Sequence, residues 1–418
     1  MNNISPINHT HHFPNGMTLV AELMTWCDSA ACSLWLPCGS NYDPPGRLGL
    51  ANLTCEMALR GAGKYESRQL VEAFENLGAD REEALSNEHT VYSAATLASN
   101  LLPTLSLMAD VARRPRFPEK QLDAGKQVIE QEIISLEDDP GQKVMTELSK
   151  NFLPAPWGLP TCGTLATLNS MTIHDVQRCH SLFYQPKGAI LGVAGKFDWN
   201  QLADWASRLF GDWTPKEIPV VAETFDGKRT VHIPYDSQQT HIGVAYQGVP
   251  FSHPNYLLEY GAVNILSGGM SSRLFTEIRE KRGLCYTVGA SHFSFRDRGG
   301  VTCYCGTTAD RAKESLNILL HELRRISEGV TEKEVELLKI RAKSVLVMQQ
   351  ESTESRVAGI VHDWYHLGRI RSRNEIKERI NALDAESINT FLADSPEPDF
   401  YIATLGPEPL KESLKVKS

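Results

Sequence analysis

Residues 49–61 read GLANLTCEMALRG. Leu50, Leu53 and Met57 recur at three- and four-residue steps, the spacing of one helix face, and glycine closes the run at Gly61. The polar residues Asn52, Cys55 and Glu56 fall at offsets where hydrolytic helices carry metal ligands and a base. The surrounding sequence has to separate a packed helix from a rearranged site or the remnant of one.

A chain of 418 residues is too long for one ordinary core and implies roughly two or three domains. Its 41% hydrophobic and 22% charged content is that of a soluble globular protein. No apolar run of membrane-spanning length occurs, and MNNISPINHTHHFPNG lacks the basic and apolar regions of a secretory signal. A cytoplasmic location, with no membrane partner, is the expectation. The net charge of −9 argues against a nucleic-acid partner, because phosphate binding needs a basic surface. Nine cysteines form no C-x-x-C pair, so reduced, mostly buried thiols are expected. Cys303 and Cys305 alternate in VTCYCGT and on a strand would face one side.

Working outward, the two halves of the chain are self-similar at a shift of about 210 residues. HTVYSAATLASNLLPTLSLMADVARRPRFPEKQL in the first half lines up with GVTCYCGTTADRAKESLNILLHELRRISEGVTEKEV in the second, in the order strand, turn, helix, turn, helix start. Pro118 and Glu119 start a helix that runs through KQVIEQEIISLE and stops before Asp139-Pro140. Thr331, with Glu332 and Glu334, opens its counterpart. WTPKEIPVVAETFDG, residues 213–227, has two prolines and no helical period, and reads as a linker. The expected domains are therefore 1–212 and 228–418.

Other suggestive stretches are weak. GAGKYES at 61–67 fails as a phosphate loop, with Ala58 and Tyr65 where glycine and Ser or Thr are required. LSGGMSSRLF at 266–275 reads as a turn before a helix. His362 and His366 share a helix face without an acid in zinc-hydrolase register. HTHH at 9–12 reads as a disordered tract.

The chain from Pro14 to about Pro409 resembles the pitrilysin/insulinase family of zinc peptidases, which includes mitochondrial processing peptidase and the core proteins of respiratory cytochrome complexes. The resemblance rests on NGMTLV, on GLANLTCEMALRGAGKYESRQLVEAFENLGA, on FPEKQLDAGKQVIEQEIISLEDDP and on LSGGMSSRLFTEIREKRGLCYTVGA. In that family the opening helix carries H-x-x-E-H, two zinc ligands flanking a base, and a distant glutamate completes the site. On this alignment the first histidine falls on Asn52, the base on Cys55 and the second histidine on Glu56. The distant ligand is Glu132, 76 residues after Glu56.

An amide oxygen cannot replace imidazole on zinc, and a thiol cannot serve as the carboxylate base. The resemblance thus implies a degenerate zinc site, with no metal or cofactor in this chain. In REKRGLCY it implies the opposite: Arg279 and Tyr286 match the residues with which the family holds the substrate backbone. Gly283 caps the helix ending near Arg279, and Tyr286 begins a strand. The local alternative pairs Arg279 with Glu277 or Glu280.

The implied fold is α+β: two homologous α/β domains, each an antiparallel or mixed sheet with helices on one face, enclosing a chamber. The implied function is that of a catalytically inactive subunit, binding peptide or unfolded polypeptide beside a zinc-bearing paralogous subunit. The alternatives are a structural or peptide-binding core-protein-like subunit without proteolysis, for which a homodimer is possible, and a stand-alone peptidase with a rearranged metal site.

Overall fold

The computed structural model describes residues 7–349 and 351–410. Its strands are β1 (Ile7–His12), β2 (Thr18–Leu23), β3 (Ser29–Leu36), the short hairpin β4 (Gly61–Ala62) and β5 (Tyr65–Glu66), β6 (Asp80–Leu85), β7 (Thr90–Leu97) and β8 (Ile190–Gly195). They are followed by β9 (Thr230–Pro234), β10 (Gln239–Gly248), β11 (Cys285–Ser294), β12 (Gly299–Thr308) and β13 (Tyr401–Gly406). One sheet has the order β1-β2-β8-β3-β7-β6 and the other β11-β12-β10-β13-β9. Each is mixed: β2 pairs with β8 and β13 with β9 in parallel, and the remaining neighbours are antiparallel.

The described residues form two compact units. The first comprises residues up to Ile134, with Pro160–Ala222 and Val347–Arg371; the second comprises Ser135–Leu159, Glu223–Leu346 and residues from Ser372 onward. The sequence repeat and the compact units therefore differ by two segments. The helix Pro140–Phe152, from the first half of the sequence, packs in the second unit, and the helix Thr353–Leu367, from the second half, packs in the first.

Burial explains what those helices do. Central strands β2, β3 and β8 are buried almost without interruption, where a sheet covered on one face would alternate. On one face Cys32 meets Met108 of the helix Leu101–Arg113. On the other, Val357, Ile360 and Val361 pack on Val20, Ala31, Ile190 and Ala194. A Cβ on Gly192 would lie 2.2 Å from Cγ2 of Val361, so only glycine lets the helix approach this closely. The same face carries a buried ion pair, in which Arg356 Nε donates to Glu22 Oε1 at 2.7 Å.

In the second unit Val144 and Leu148 pack on Ala245, Ala403 and Leu405, and Gly243 lies beneath Leu148 and Met145. The opposite face, with Ile242, Val244, Val301 and Ile402, packs on the helices Tyr256–Ser267, Ala312–Arg325 and Ala385–Asp394. Cys303 and Cys305 both point into that core, as their alternation requires. Each sheet thus has a layer of several helices on one face and a single helix on the other.

Helix boundaries follow the sequence signals. A short turn at Glu119–Gln121 leads into the helix Leu122–Asp138, which ends before Pro140. Thr331 and Glu334 form a reciprocal cap on the helix Glu332–Met348. Residues 214–223 contain neither helix nor strand. HTHH is not disordered: it lies in β1, paired to β2, with His9 stacked on Trp199. Ladder hydrogen bonds and ring stacking outweigh its polar composition.

Candidate functional site

The stretch GLANLTCEMALRG contains the helix Leu50–Ala58, entered through Gly49 at φ +90°. Asp43 anchors its start, accepting from the backbone of Gly49 at 2.7 Å and Ala51 at 2.8 Å. Leu50, Leu53 and Met57 are buried, as their spacing requires.

The polar residues of this helix are each committed elsewhere. Asn52 Nδ2 donates to Oε2 of Glu132 at 2.7 Å, so the amide bridges to the carboxylate on the facing helix. Cys55 is 3% exposed, and burial pushes its thiol up to about 12, with Glu83, Glu56 and Glu132 acting in the same direction. Its carbonyl accepts from Tyr92, which is also hydrogen-bonded to Tyr184 at 2.9 Å. Glu56 pairs with Arg60, 2.6 Å from Nη2.

This donor set does not fit zinc. An amide bonded through its nitrogen to Glu132, a buried thiol whose ionisation burial opposes and a carboxylate held by arginine are a poor donor set for zinc. Among the described residues no group of three or more His, Cys, Asp or Glu is arranged to hold a metal. His362 and His366 lie with ring centroids 4.4 Å apart, and burial lowers the pKa of His362.

REKRGLCY is built differently. Residues Phe275–Glu280 are wound with i to i+5 hydrogen bonds, Lys281 N donating to Thr276 O at 2.9 Å, a wide turn that recurs at functional sites. Gly283, at φ +60°, ends it: Gly283 N donates to Arg279 O and Leu284 N to Ile278 O. β11 then opens with a bulge, because Cys285 pairs with Thr307 and Thr287 with Gly306, leaving Tyr286 as the extra residue. A bulge re-aims the side chain it carries, and Tyr286 is 81% exposed beside a buried Cys285.

Arg279 fills the space so created. Its guanidinium carbon lies 5.0 Å from the centroid of the Tyr286 ring and 4.9 Å from that of Phe275, within the range of cation–π attraction. Among the described residues no carboxylate pairs with Arg279; Glu277 is taken by Lys281 and Arg282, each at 2.6 Å. Those two cations hold the Glu277 carboxyl down to about 2. The Cys285 thiol is lowered by the hydrogen bond with Cys305 and further by Arg279. Arg279 therefore presents its donors, and Tyr286 its hydroxyl, at an exposed position of the terminal strand of the sheet.

The sequence reading passed over Phe275 and Arg60. Both signals were available, since Phe275 and Arg279, like Glu56 and Arg60, stand four residues apart on one helical face. Among the described residues no helix is long and apolar enough to cross a membrane.

Comparison with known proteins agrees with this geometry. The model of the insulinase family (peptidase family M16) matches residues 20–164, and that of the peptidase M16 inactive domain matches residues 170–341. An uncharacterized zinc protease of Rickettsia bellii is 29% identical over 90% of this chain and 91% of its own length. One of Bacillus subtilis is 28% identical over 94% and 97%. Among solved structures, a peptidase M16 inactive domain from Pseudomonas fluorescens superposes with TM-score 0.88 at 21% identity, covering 97% of this chain and 99% of that one. A chain of complex III2 from Candida albicans superposes at 0.80 with 20% identity, covering 96% of each. With two M16 models matched in tandem across two α/β units, the chain belongs to the M16 (insulinase) peptidase family.

Proposed function

We propose that this chain is the zinc-free, peptide-binding subunit of a two-chain M16 peptidase, with catalysis supplied by a zinc-bearing paralogue. The observation that carries the reading is the contrast between its two motifs. At the zinc positions Asn52 is bonded to Glu132 and Glu56 to Arg60, so the residues satisfy one another. At the other motif Arg279 and Tyr286 stack together, exposed, with no carboxylate claiming the guanidinium among the described residues.

That second arrangement suits a polypeptide backbone. Guanidinium donors and a phenol bind carbonyl oxygens, and β11 pairs with β12 along one side only, the situation in which an extended peptide can add. The relatives' designation as zinc proteases supports polypeptide as the ligand class, and the complex III2 neighbour supports assembly with other chains.

The test is reconstitution with the paralogue carrying H-x-x-E-H. Cleavage of a fluorogenic peptide should require both chains, with one zinc per pair held by the paralogue. Arg279→Ala and Tyr286→Phe should lower kcat/KM by about tenfold or more, the scale of losing a charged or well-placed hydrogen bond to substrate. Unchanged rates would remove the substrate role from these residues. Peptide binding without cleavage by the pair would favour a subunit that holds polypeptide and takes no part in proteolysis.

A further inference from the structure

The second unit contains a cavity of about 800 Å³, large enough for a small organic ligand. It lies between β10 and the helices Tyr256–Ser267, Ala312–Arg325 and Ala385–Asp394. Ala262, Val263, Leu266, Leu323 and Phe391 give it an apolar wall. At its rim Arg324 pairs with Glu397 at 3.4 Å and Arg229 with Asp399, so these charges cancel in pairs.

Glu259 is the wall's remaining carboxylate, and it is 9% exposed. Its Oε2 accepts from Val249 N at 2.7 Å. His292 Nε2 lies 2.9 Å from Val249 O and 3.1 Å from the same Oε2. A carbonyl oxygen only accepts, so Nε2 carries the proton and shares it between them. Among the described residues nothing donates to Oε1, and the hydroxyl of Tyr246, also on the wall, has no hydrogen-bond partner. A carboxylate oxygen short of protein donors, with an unpartnered phenol oxygen on the same cavity wall, offers acceptors that a multidonor cation can take.

We propose that this cavity binds an apolar primary amine, its ammonium on Glu259 Oε1 and the Tyr246 hydroxyl and its hydrocarbon body against the apolar wall. Three N–H donors meet the uncommitted acceptors, and the paired rim charges leave the interior attractive to a cation. The site is independent of Arg279, Tyr286 and the peptide-binding reading.

Calorimetric titration of the intact chain at pH 7 with n-octylamine, n-octanol and n-octanoate tests it. Octylammonium should bind at one site at least tenfold tighter than octanol, with octanoate weakest. Glu259→Gln, which keeps an oxygen for Val249 N, should bring the amine down to the octanol level. Tyr246→Phe should weaken it severalfold. Ala393→Trp, at an exposed position of the lining, should abolish binding of all three while leaving Glu259 in place. Equal affinity for octylammonium and octanol, preference for octanoate, absence of amine binding up to millimolar concentration, or full amine affinity in a folded Glu259→Gln or Ala393→Trp protein would each overturn the proposal.

Discussion

Asn52 donates its side-chain amide to Glu132 across 2.7 Å, joining the helices Leu50–Ala58 and Leu122–Asp138 at two positions that the sequence resemblance aligns with zinc ligands. The bond uses the surviving carboxylate as a structural acceptor. It also holds the helix register on which any restoration of the site depends.

Asn52→His combined with Cys55→Glu and Glu56→His recreates the H-x-x-E-H pattern and frees Glu132. The triple variant should retain about one zinc per chain after dialysis, measured by metal analysis. Retention near the wild-type level would mean that the outer hydrogen-bonding shell has been lost along with the ligands.

The buried pair between Glu22 and Arg356 fastens the helix Thr353–Leu367 to the first sheet. Glu22→Gln, which leaves a guanidinium buried without its counter-charge, should cost about 3–5 kcal/mol in urea unfolding. Glu22→Met with Arg356→Leu should cost clearly less, since it removes both charges.

The same helix is tested sterically at Gly192. Gly192→Ala drives a methyl into Val361 and should destabilise by about 1–3 kcal/mol. Adding Val361→Ala should recover part of that loss. Simple additivity of the two substitutions would show that the helix does not press on this strand.

His89 stacks on Trp35 at 4.0 Å, and burial drops its pKa to about 3; burial likewise takes His180 to about 4. A histidine with a folded pKa below its unfolded value contributes stability at neutral pH that is lost as pH falls from about 6.5 toward 3. The loss is at most about 1.4 kcal/mol per pH unit for each group. Asp43, raised to about 7 by burial, acts with the opposite sign, its contribution lost as pH rises through 7. Comparison with His89→Phe cancels the other groups: the variant should lose less stability than wild type between pH 6.5 and 4.5. Parallel stability curves would refute the assignment.

Thiol reactivity should follow local electrostatics. In the native chain Cys27, which is partly exposed, should take up maleimide first, and Cys285, buried but with its thiol lowered, next. Cys55, pushed up to about 12, should react only on unfolding. Arg279→Ala should slow Cys285 by roughly two- to fivefold. Peptide mass mapping over time gives the order, and early labelling of Cys55 would contradict its burial.

The sequence by itself determined the repeated α/β plan, the helix from Leu122 to its stop at Pro140, the cap at Thr331 and the inward face of Leu50, Leu53 and Met57. These are local matters of periodicity, capping and proline geometry, and the residues that decide them are neighbours in the chain. Motif spacing, which survives in one dimension, also singled out Asn52, Cys55, Glu56 and Glu132, with Arg279 and Tyr286, as candidate positions.

Only the tertiary structure decided which sheet each amphipathic helix covers. An apolar stripe such as Val357, Ile360 and Val361 states that a partner face is needed and says nothing of whose face it is. The exchange of Pro140–Phe152 and Thr353–Leu367 between the compact units is fixed by complementary shape at Gly192 and Gly243 and by the Glu22–Arg356 pair, whose members stand 334 residues apart. The bond from Asn52 to Glu132 and the bulge that turns Tyr286 outward arise in the same way, from contacts between segments that the sequence order keeps separate.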